Sequence, residues 1–208
     1  MDFGSSNKFT RFTEAGKINL DKATMINILV SINDELMSEG LHATMMVYGG
    51  CAMMLHGYDT RRTRDIDAAA TGIPMADFSS VLDRVVKNSN PPFTRSLFDT
   101  TIGPLIALHS KKNELDELEQ LSNLRVMIAS PKQMLALKLF SARNPEDSQD
   151  LGDAIMLCKH LGLSSRESFK EVLLEYIKED SVNRQNNNPD RLNCVNNFMD
   201  MLFEEVNE

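Results

Sequence analysis

The feature that most constrains the fold of this chain is a strand that ends in two glycines and leads into a helix. The apolar run 44–48 predicts a buried strand, and Gly49 and Gly50 follow it directly. Glycine lets the backbone turn tightly and approach a bound group that any Cβ would block. The run 52–56 predicts a short helix, whose N-terminal N–H groups favour an anion. The pattern is typical of a phosphate-binding turn, and a plain strand-to-helix turn is the alternative.

A second cluster of charged residues follows this helix. In order, it reads Arg61, Arg62, Thr63, Arg64, Asp65, Ile66, Asp67. Side chains alternate along a strand, so Asp65 and Asp67 share a face while Ile66 points into the core. Two carboxylates about 7 Å apart on a strand favour a hard cation such as Mg²⁺, which binds through one or two carboxylates and substrate phosphates. Solvated charges on an edge strand are the alternative.

Residues around this acidic pair favour contact with phosphate groups. Arg61 and Arg64 are cations placed beside the pair, where a triphosphate needs its charge offset. Thr63 either caps the turn or contacts a phosphate, and the sequence leaves both roles open. Lys111 and Lys112 form a second basic cluster. These two lysines either contact phosphate groups or only balance the charge of acidic neighbours.

A lysine in an apolar helix is the third candidate. Lys138 has apolar residues on both sides in the sequence, where its charge is costly unless it is paired or faces a cleft. Its ammonium group either snorkels to solvent, reaches a phosphate, or pairs with Asp150. Asp147 and Asp150 open the next predicted helix, where the helix dipole alone also favours acids.

The order Gly-Gly, helix, Arg-x-Thr-x-Asp-Ile-Asp resembles the nucleotidyltransferase fold of the DNA polymerase β superfamily, especially small bacterial proteins related to the AbiEii-type toxins. The stretch 124–151 is similar to a later motif of that group, in which a lysine helix precedes an arginine and two aspartates. The resemblance covers roughly residues 20–165. It implies a mixed α/β protein of the minimal nucleotidyltransferase fold, with a small mixed sheet flanked by helices and a helical C-terminal part.

The resemblance also implies an activity. A nucleoside monophosphate would pass from a nucleoside triphosphate to RNA, such as tRNA, or to a protein, with Mg²⁺ or Mn²⁺ as cofactor. The protein would be a toxin with a cognate antitoxin. Asp65, Asp67, Lys138 and Asp150 would be catalytic, with the metal on Asp65 and Asp67. Nucleotide binding would involve Gly49, Gly50, Arg61, Thr63, Arg64 and Asp147.

One departure from the superfamily concerns a third acidic residue, which many members carry on a later strand. The predicted strand 124–129 contains none, and Asp99 is a candidate substitute. Two other classes of protein therefore stay open. One is a nucleotide-binding module that has lost catalysis, and the other is an interaction protein that uses the fold structurally.

Composition restricts the classes of protein further. A net charge of −8 opposes a broad nucleic-acid footprint. The absence of a long apolar run or a basic-then-apolar leader opposes a membrane span and a secretory signal. The three cysteines lack Cys-x-x-Cys spacing, which opposes a disulfide framework and a zinc site. These observations predict a cytoplasmic protein.

The periodicity predicts a polar tail over 1–19, a nucleotidyltransferase core over 20–130 and a helical region over 131–208. Within the core we expect helices over 25–36, 75–87 and 113–121, and strands over 43–48, 65–70, 95–98, 105–109 and 124–129. Ser130 is the predicted N-cap of a helix with Pro131 at its first position, and the run 164–167 repeats a capping-box pattern. We expect the helical C-terminal region to be interrupted by a polar loop over 183–190.

Overall fold

The protein, described by a computed structural model over residues 20–58, 63–89, 93–142 and 149–208, has a mixed α/β fold. The predicted fold class is thereby confirmed. Five strands form one sheet: β1 Ala43–Val47, β2 Ile66–Thr71, β3 Phe98–Asp99, β4 Leu115–Gln120 and β5 Leu124–Ala129. The helices of the described ranges are α1 Lys22–Ser38, α2 Gly49–Leu55, α3 Met75–Asn88, α4 Ile102–His109, α5 Pro131–Ser141, α6 Gln149–Leu161, α7 Arg166–Tyr176, α8 Glu179–Asn186 and α9 Pro189–Asn207, with a 3₁₀ turn at Arg95–Leu97.

The strand order β3-β2-β1-β5-β4 places β1 at the centre of the sheet. β1 pairs antiparallel with β2 and parallel with β5, and β2 pairs parallel with β3. Alternate residues of β1 and β5 are buried, so one face of the sheet packs into the core. The other face carries Thr44, Met46, Asp67 and Met127, which are half-buried, and we call it the open face.

The described residues group into two compact units. The first comprises the residues up to Thr101 together with Glu117–Ile128, and the second comprises Ile102–Asp116 with the residues from Ala129 onwards. In the first unit α1 packs against α3. The Asp21 side chain caps α1 by accepting from the Thr24 backbone N–H at 2.8 Å. The helix over 25–36, the helix over 75–87 and the strands over 43–48, 65–70 and 124–129 are confirmed to within a few residues at their ends.

In the second unit α5 packs against α6 and α7. The predicted N-cap of α5 is confirmed, because the Ser130 hydroxyl accepts from the Gln133 backbone N–H and Pro131 opens the helix. Ser165 caps α7 in the same way and forms a capping box with Ser168. Among the helices of the described ranges, none combines the length and the hydropathy that a membrane span requires.

Five predicted elements are wrong or shifted. The predicted strand over 95–98 is instead a 3₁₀ turn at Arg95–Leu97, and only its last residue, Phe98, belongs to β3. Residues 105–109 belong to α4 rather than to a strand, since a short apolar run fits either element. The acidic run 113–121 contains the edge strand β4 instead of a helix, because pairing with β5 outweighs the helix propensity of glutamate. Residues 183–186 still belong to α8, so the polar loop is shorter than predicted. α2 begins at Gly49 itself, since Tyr48 is the last extended residue.

Candidate active site

Gly49 and Asp67 meet at the end of β1. The Tyr48 backbone N–H donates to the Asp67 carbonyl oxygen at 2.9 Å, which extends the pairing of β1 with β2 by one residue. Gly49 follows with φ of +59°, a conformation that residues with a side chain rarely adopt. A Cβ on Gly49 would lie 2.1 Å from Asp67 Oδ2. The Asp67 carboxylate therefore occupies the space that a side chain at position 49 would fill.

Asp65 lies in the bend that enters β2, and its side chain is exposed. The Thr63 hydroxyl lies 3.2 Å from the Asp65 carbonyl oxygen and 3.2 Å from Asp65 Oδ1, so it donates within the bend. Thr63 itself is buried. This contact holds the Asp65 carboxylate in its orientation. The predicted contact of Thr63 with a phosphate stays a prediction.

Cys51 is buried and contacts the backbone of Asp65. Its thiol donates to the Asp65 carbonyl oxygen, with 3.3 Å between sulfur and oxygen. Burial raises the pKa of the Cys51 thiol well above its usual range, and the charges of Asp67 and Asp65 raise it further. The thiol is therefore neutral at physiological pH, and it serves as a hydrogen-bond donor rather than as a nucleophile.

Asp99 stands beside Asp67. β2 and β3 run parallel, and Asp67 pairs in register with Asp99. Neighbouring strands lie about 4.8 Å apart, and paired residues project to the same face. Asp99 Oδ1 accepts from the Thr101 backbone N–H at 2.8 Å and from the Thr101 hydroxyl at 2.7 Å. The sequence alone left Asp99 unplaced, because a strand of two residues gives too short a pattern to show its register.

The basic residues predicted beside the acids are described in part. Arg64 is exposed next to Asp65. Arg61 lies outside the described residues, and so does Asp147. Gly50 is the second residue of α2. The structure thus places Gly49 against Asp67 and Thr63 against Asp65, and all four residues lie in the first unit.

Lys138 and Asp150 are brought together in the second unit. Lys138 Nζ lies 2.9 Å from Asp150 Oδ1 and 2.7 Å from Asp153 Oδ2. Lys138 is 8% exposed and Asp153 only 2% exposed, so this ion cluster is buried. The sequence prediction missed Asp153, although its position three residues after Asp150 places both acids on one face of α6.

Lys112 belongs to a separate ion cluster in the second unit. Its ammonium group lies 3.3 Å from Glu114 Oε2 and 2.5 Å from Glu175 Oε1, and it stacks over the Tyr176 ring. Tyr176 donates to Glu114 at 2.7 Å, and this bond lowers the pKa of the Glu114 carboxyl. Lys112 therefore balances acidic neighbours, which is one of the two alternatives that the sequence left open.

The acids of the first unit fit a magnesium ion that arrives with a nucleotide. No group of three or more acidic, histidine or cysteine side chains within the described ranges could hold a metal by itself. Mg²⁺ does not require such a cage, since it commonly uses one or two carboxylates and completes its shell with phosphates and water. Asp67 supplies a carboxylate beside the glycine turn, and Asp65 supplies a second one in the bend that enters the same strand, which suits that mode of binding.

A comparison with protein families identifies the group to which the chain belongs. Residues 23–191 match the family described as "Nucleotidyltransferase of unknown function (DUF6036)". The chain belongs to this family. The match spans both compact units. Membership of this nucleotidyltransferase family confirms the coarser part of the resemblance seen in the sequence.

Two other comparisons add less. No curated protein matches the chain. Among solved structures, an antigenic nucleotidyltransferase-like protein from Paracoccidioides brasiliensis is similar at 13% identity and a TM-score of 0.45. That similarity covers 86% of this chain and 94% of the other.

Proposed function

We propose that this chain transfers a nucleoside monophosphate from a nucleoside triphosphate to a hydroxyl group on an RNA or protein acceptor. The contact of the Asp67 carboxylate with Gly49 carries the proposal. This contact places Asp67 of β2 against the glycine turn at the end of β1. A metal-bound triphosphate needs a carboxylate for the metal close to N–H groups for the phosphates. Membership of a nucleotidyltransferase family supports the proposal.

In the proposed reaction the acceptor oxygen attacks the α-phosphorus. A new oxygen–phosphorus bond forms, the bond from the α-phosphorus to the bridging oxygen of the β-phosphate breaks, and pyrophosphate leaves. The hydroxyl proton passes to solvent. Asp65 and Asp67 would hold Mg²⁺ or Mn²⁺, which when bound offsets negative charge on the phosphates. Backbone N–H groups of Gly49 and Gly50 would donate to the phosphate oxygens.

The predicted cationic contacts form the second part of the proposal. Arg61 and Arg64 would pair with phosphate oxygens, with Thr63 beside them. We also assign Lys138 to the phosphates, with Asp150 as its partner when no nucleotide is bound, and Asp147 to nucleotide binding. The observed ion pair between Lys138 and Asp150 supports the proposal that Asp150 is the partner of Lys138 when no nucleotide is bound.

Asp99 is our candidate for the third acidic residue. Its register with Asp67 on the neighbouring strand supports this role. A third carboxylate beside the pair would accept the acceptor proton first and then release it to solvent. The bonds from Thr101 fix the orientation of its carboxylate before substrate binds.

The biological setting is proposed from the resemblance to AbiEii-type toxins. We propose a toxin of a toxin–antitoxin pair that acts in the cytoplasm. The free thiols of Cys51, Cys158 and Cys194 agree with a reducing compartment. Expression without an antitoxin is expected to arrest growth, and Asp65→Ala is expected to abolish that arrest.

Label transfer tests the activity directly. Purified protein is incubated with each α-labelled nucleoside triphosphate, Mg²⁺ and a cell extract, and incorporated label and released pyrophosphate are both measured. We expect Asp67→Asn to lower both at least a hundredfold, because the metal loses a charged ligand. Asp77→Asn, which changes an acid in the first turn of α3, is the matched control and is expected to keep full activity.

One observation favours a second candidate function. Even with Asp99 beside Asp67, no group of three side chains within the described ranges could hold a metal by itself, so the site suits a module that binds nucleotide without transferring it. Binding of triphosphate and Mg²⁺ by the wild-type protein, without incorporation or pyrophosphate release from any nucleotide, would support this function and overturn the transferase.

A further inference from the structure

The side chains beside Asp67 on the open face are apolar. Met46 pairs in register with Ala69 on one side and with Met127 on the other. Ala69 is two residues after Asp67, so it lies about 7 Å further along the same face. Met46 and Met127 are half-buried, whereas Ala69 is only 5% exposed, so the two methionines form the accessible part of this surface. We call Met46, Ala69 and Met127 the methionine shelf.

Most of the cationic side chains that the structure describes in the first unit have partners within the protein. Its described lysines and arginines are Lys22, Arg64, Arg84, Lys87, Arg95 and Arg125. Four of these six have an acidic or carbonyl partner. Arg125, which pairs in register with Thr44 on the open face, holds Glu117 with two hydrogen bonds. Of the other two, Lys87 lies in the last turn of α3 and Arg64 lies at the predicted triphosphate site, so the described residues of this unit offer little further positive charge to a second polyanion.

A polynucleotide acceptor needs several lysines or arginines along its path, since each phosphate contact neutralises one charge. Nucleic-acid interfaces are also markedly more positive and more polar than protein interfaces. A half-exposed methionine surface instead suits apolar side chains of varied shape, because the thioether chain is flexible and polarizable. The net charge of −8 adds to the repulsion of a polyanion.

We infer that the acceptor is a protein, and that a segment with a hydroxyl side chain and apolar neighbours lies on the methionine shelf. This inference rests on the proposed function and names its acceptor class. The acceptor serine, threonine or tyrosine oxygen forms the new bond to the α-phosphorus. The bond to the β-phosphate bridge breaks, pyrophosphate leaves and the hydroxyl proton goes to solvent. The product is a phosphodiester between the protein side chain and a nucleoside.

The test offers the two acceptor classes separately. Purified protein, Mg²⁺ and each α-labelled nucleoside triphosphate are incubated with nuclease-treated total protein or with purified total RNA from the same cells. We expect protease-sensitive label in the first reaction and at least tenfold less in the second. Greater nuclease-sensitive label in RNA would overturn the inference and leave the proposed function standing. Label in neither fraction with any nucleotide would overturn both.

Substitutions on the shelf test where the acceptor lies. We expect Met127→Glu and, as a second variant, Met46→Gln to lower the rate of protein labelling at limiting acceptor at least fivefold. The stabilisation of each variant by nucleotide with Mg²⁺ should stay at the wild-type level, which also shows that the variant is folded. Met75→Glu is the matched control, since it changes a methionine of the same unit that is 48% exposed. Unchanged labelling by both shelf variants, or equal loss in the control, would overturn the location.

Discussion

At the scale of single residues, Gly49 meets two separate demands. Its φ of +59° disfavours any side chain, and its neighbour Asp67 leaves no room for one. Gly40 meets only the first demand, since its φ is +63° and a Cβ there would have no atom within 4 Å. A comparison of substitutions at Gly40 and Gly49 therefore separates the cost of the backbone conformation from the cost of displacing the Asp67 carboxylate.

We expect Gly40→Ala to lower the free energy of unfolding by about 1 kcal/mol, the usual cost of a left-handed residue with a side chain. Gly49→Ala should cost about 1–3 kcal/mol more, because the Asp67 carboxylate must move. Urea denaturation measures both values. Gly49→Ala alone should also lose the stabilisation by nucleotide with Mg²⁺. Equal costs for the two variants would show that Asp67 adapts freely.

The sequence predicted part of this contact. Two glycines after a buried strand predicted a close approach to the backbone, which the sequence pattern assigned to a bound phosphate group. The structure shows that a carboxylate of the protein itself, that of Asp67, makes the approach to Gly49. Sequence spacing could not reveal this, because the register of β2 against β1 brings the two residues together. The register of Asp99 beside Asp67 was hidden for the same reason.

At the scale of elements, α5 and α6 share a buried ion cluster that only the fold makes visible. Lys138 projects from α5 and meets two acids of α6 that are one turn apart. Asp153 is almost fully buried, whereas 28% of the Asp150 side chain is exposed. If either acid is removed, water can therefore reach the position of the Asp150 carboxylate more easily than that of the Asp153 carboxylate.

We expect Asp153→Ala to lower the free energy of unfolding by about 3 kcal/mol, since it removes the buried partner of a buried lysine. Asp150→Ala should cost about 1 kcal/mol, because water reaches that carboxylate and Lys138 keeps its buried partner. The two variants change the same helix by the same atoms, so each controls for the other. A larger loss in Asp150→Ala, measured by urea denaturation, would contradict this ranking.

Elements with strong local signals were predicted well, and those that depend on distant partners were not. The N-cap at Ser130 and the apolar strand β5 are local features, and both were confirmed. β4 contains three acids and two leucines that are three residues apart, and its glutamates favour a helix when the run is considered alone. Its pairing at the edge of the sheet decides otherwise. The opposite error was made for α4, which was predicted as a strand over 105–109, because a short apolar run fits a strand and a helix equally well.

At the scale of the whole molecule, the mixed α/β class follows from the order of local patterns along the chain. The family match covers residues 23–191. The division into a core over 20–130 and a helical region over 131–208 stays a prediction. In the structure the segment Ile102–Asp116 groups with the C-terminal helices, which no composition change along the chain indicates.

The response of the whole molecule to ligand distinguishes the three classes of function. The acids of the first unit fit Mg²⁺ only together with phosphates, because no described cluster holds the ion alone. We therefore expect Mg²⁺ alone to change the melting temperature little. Triphosphate with Mg²⁺, at about 100 times Kd, should add about 2.7 kcal/mol of stability. For a chain of this size that is a rise of roughly 5–10 °C.

Differential scanning fluorimetry measures this rise. Chelation of Mg²⁺ by EDTA should remove the rise, because the triphosphate then meets Asp65 and Asp67 without a cation to offset their repulsion. Asp67→Asn should remove most of it, since one metal ligand is lost, whereas the Asp77→Asn control should keep it. A rise without label transfer would identify a binding module. No rise with any nucleotide would instead identify a protein that uses this fold only for interaction.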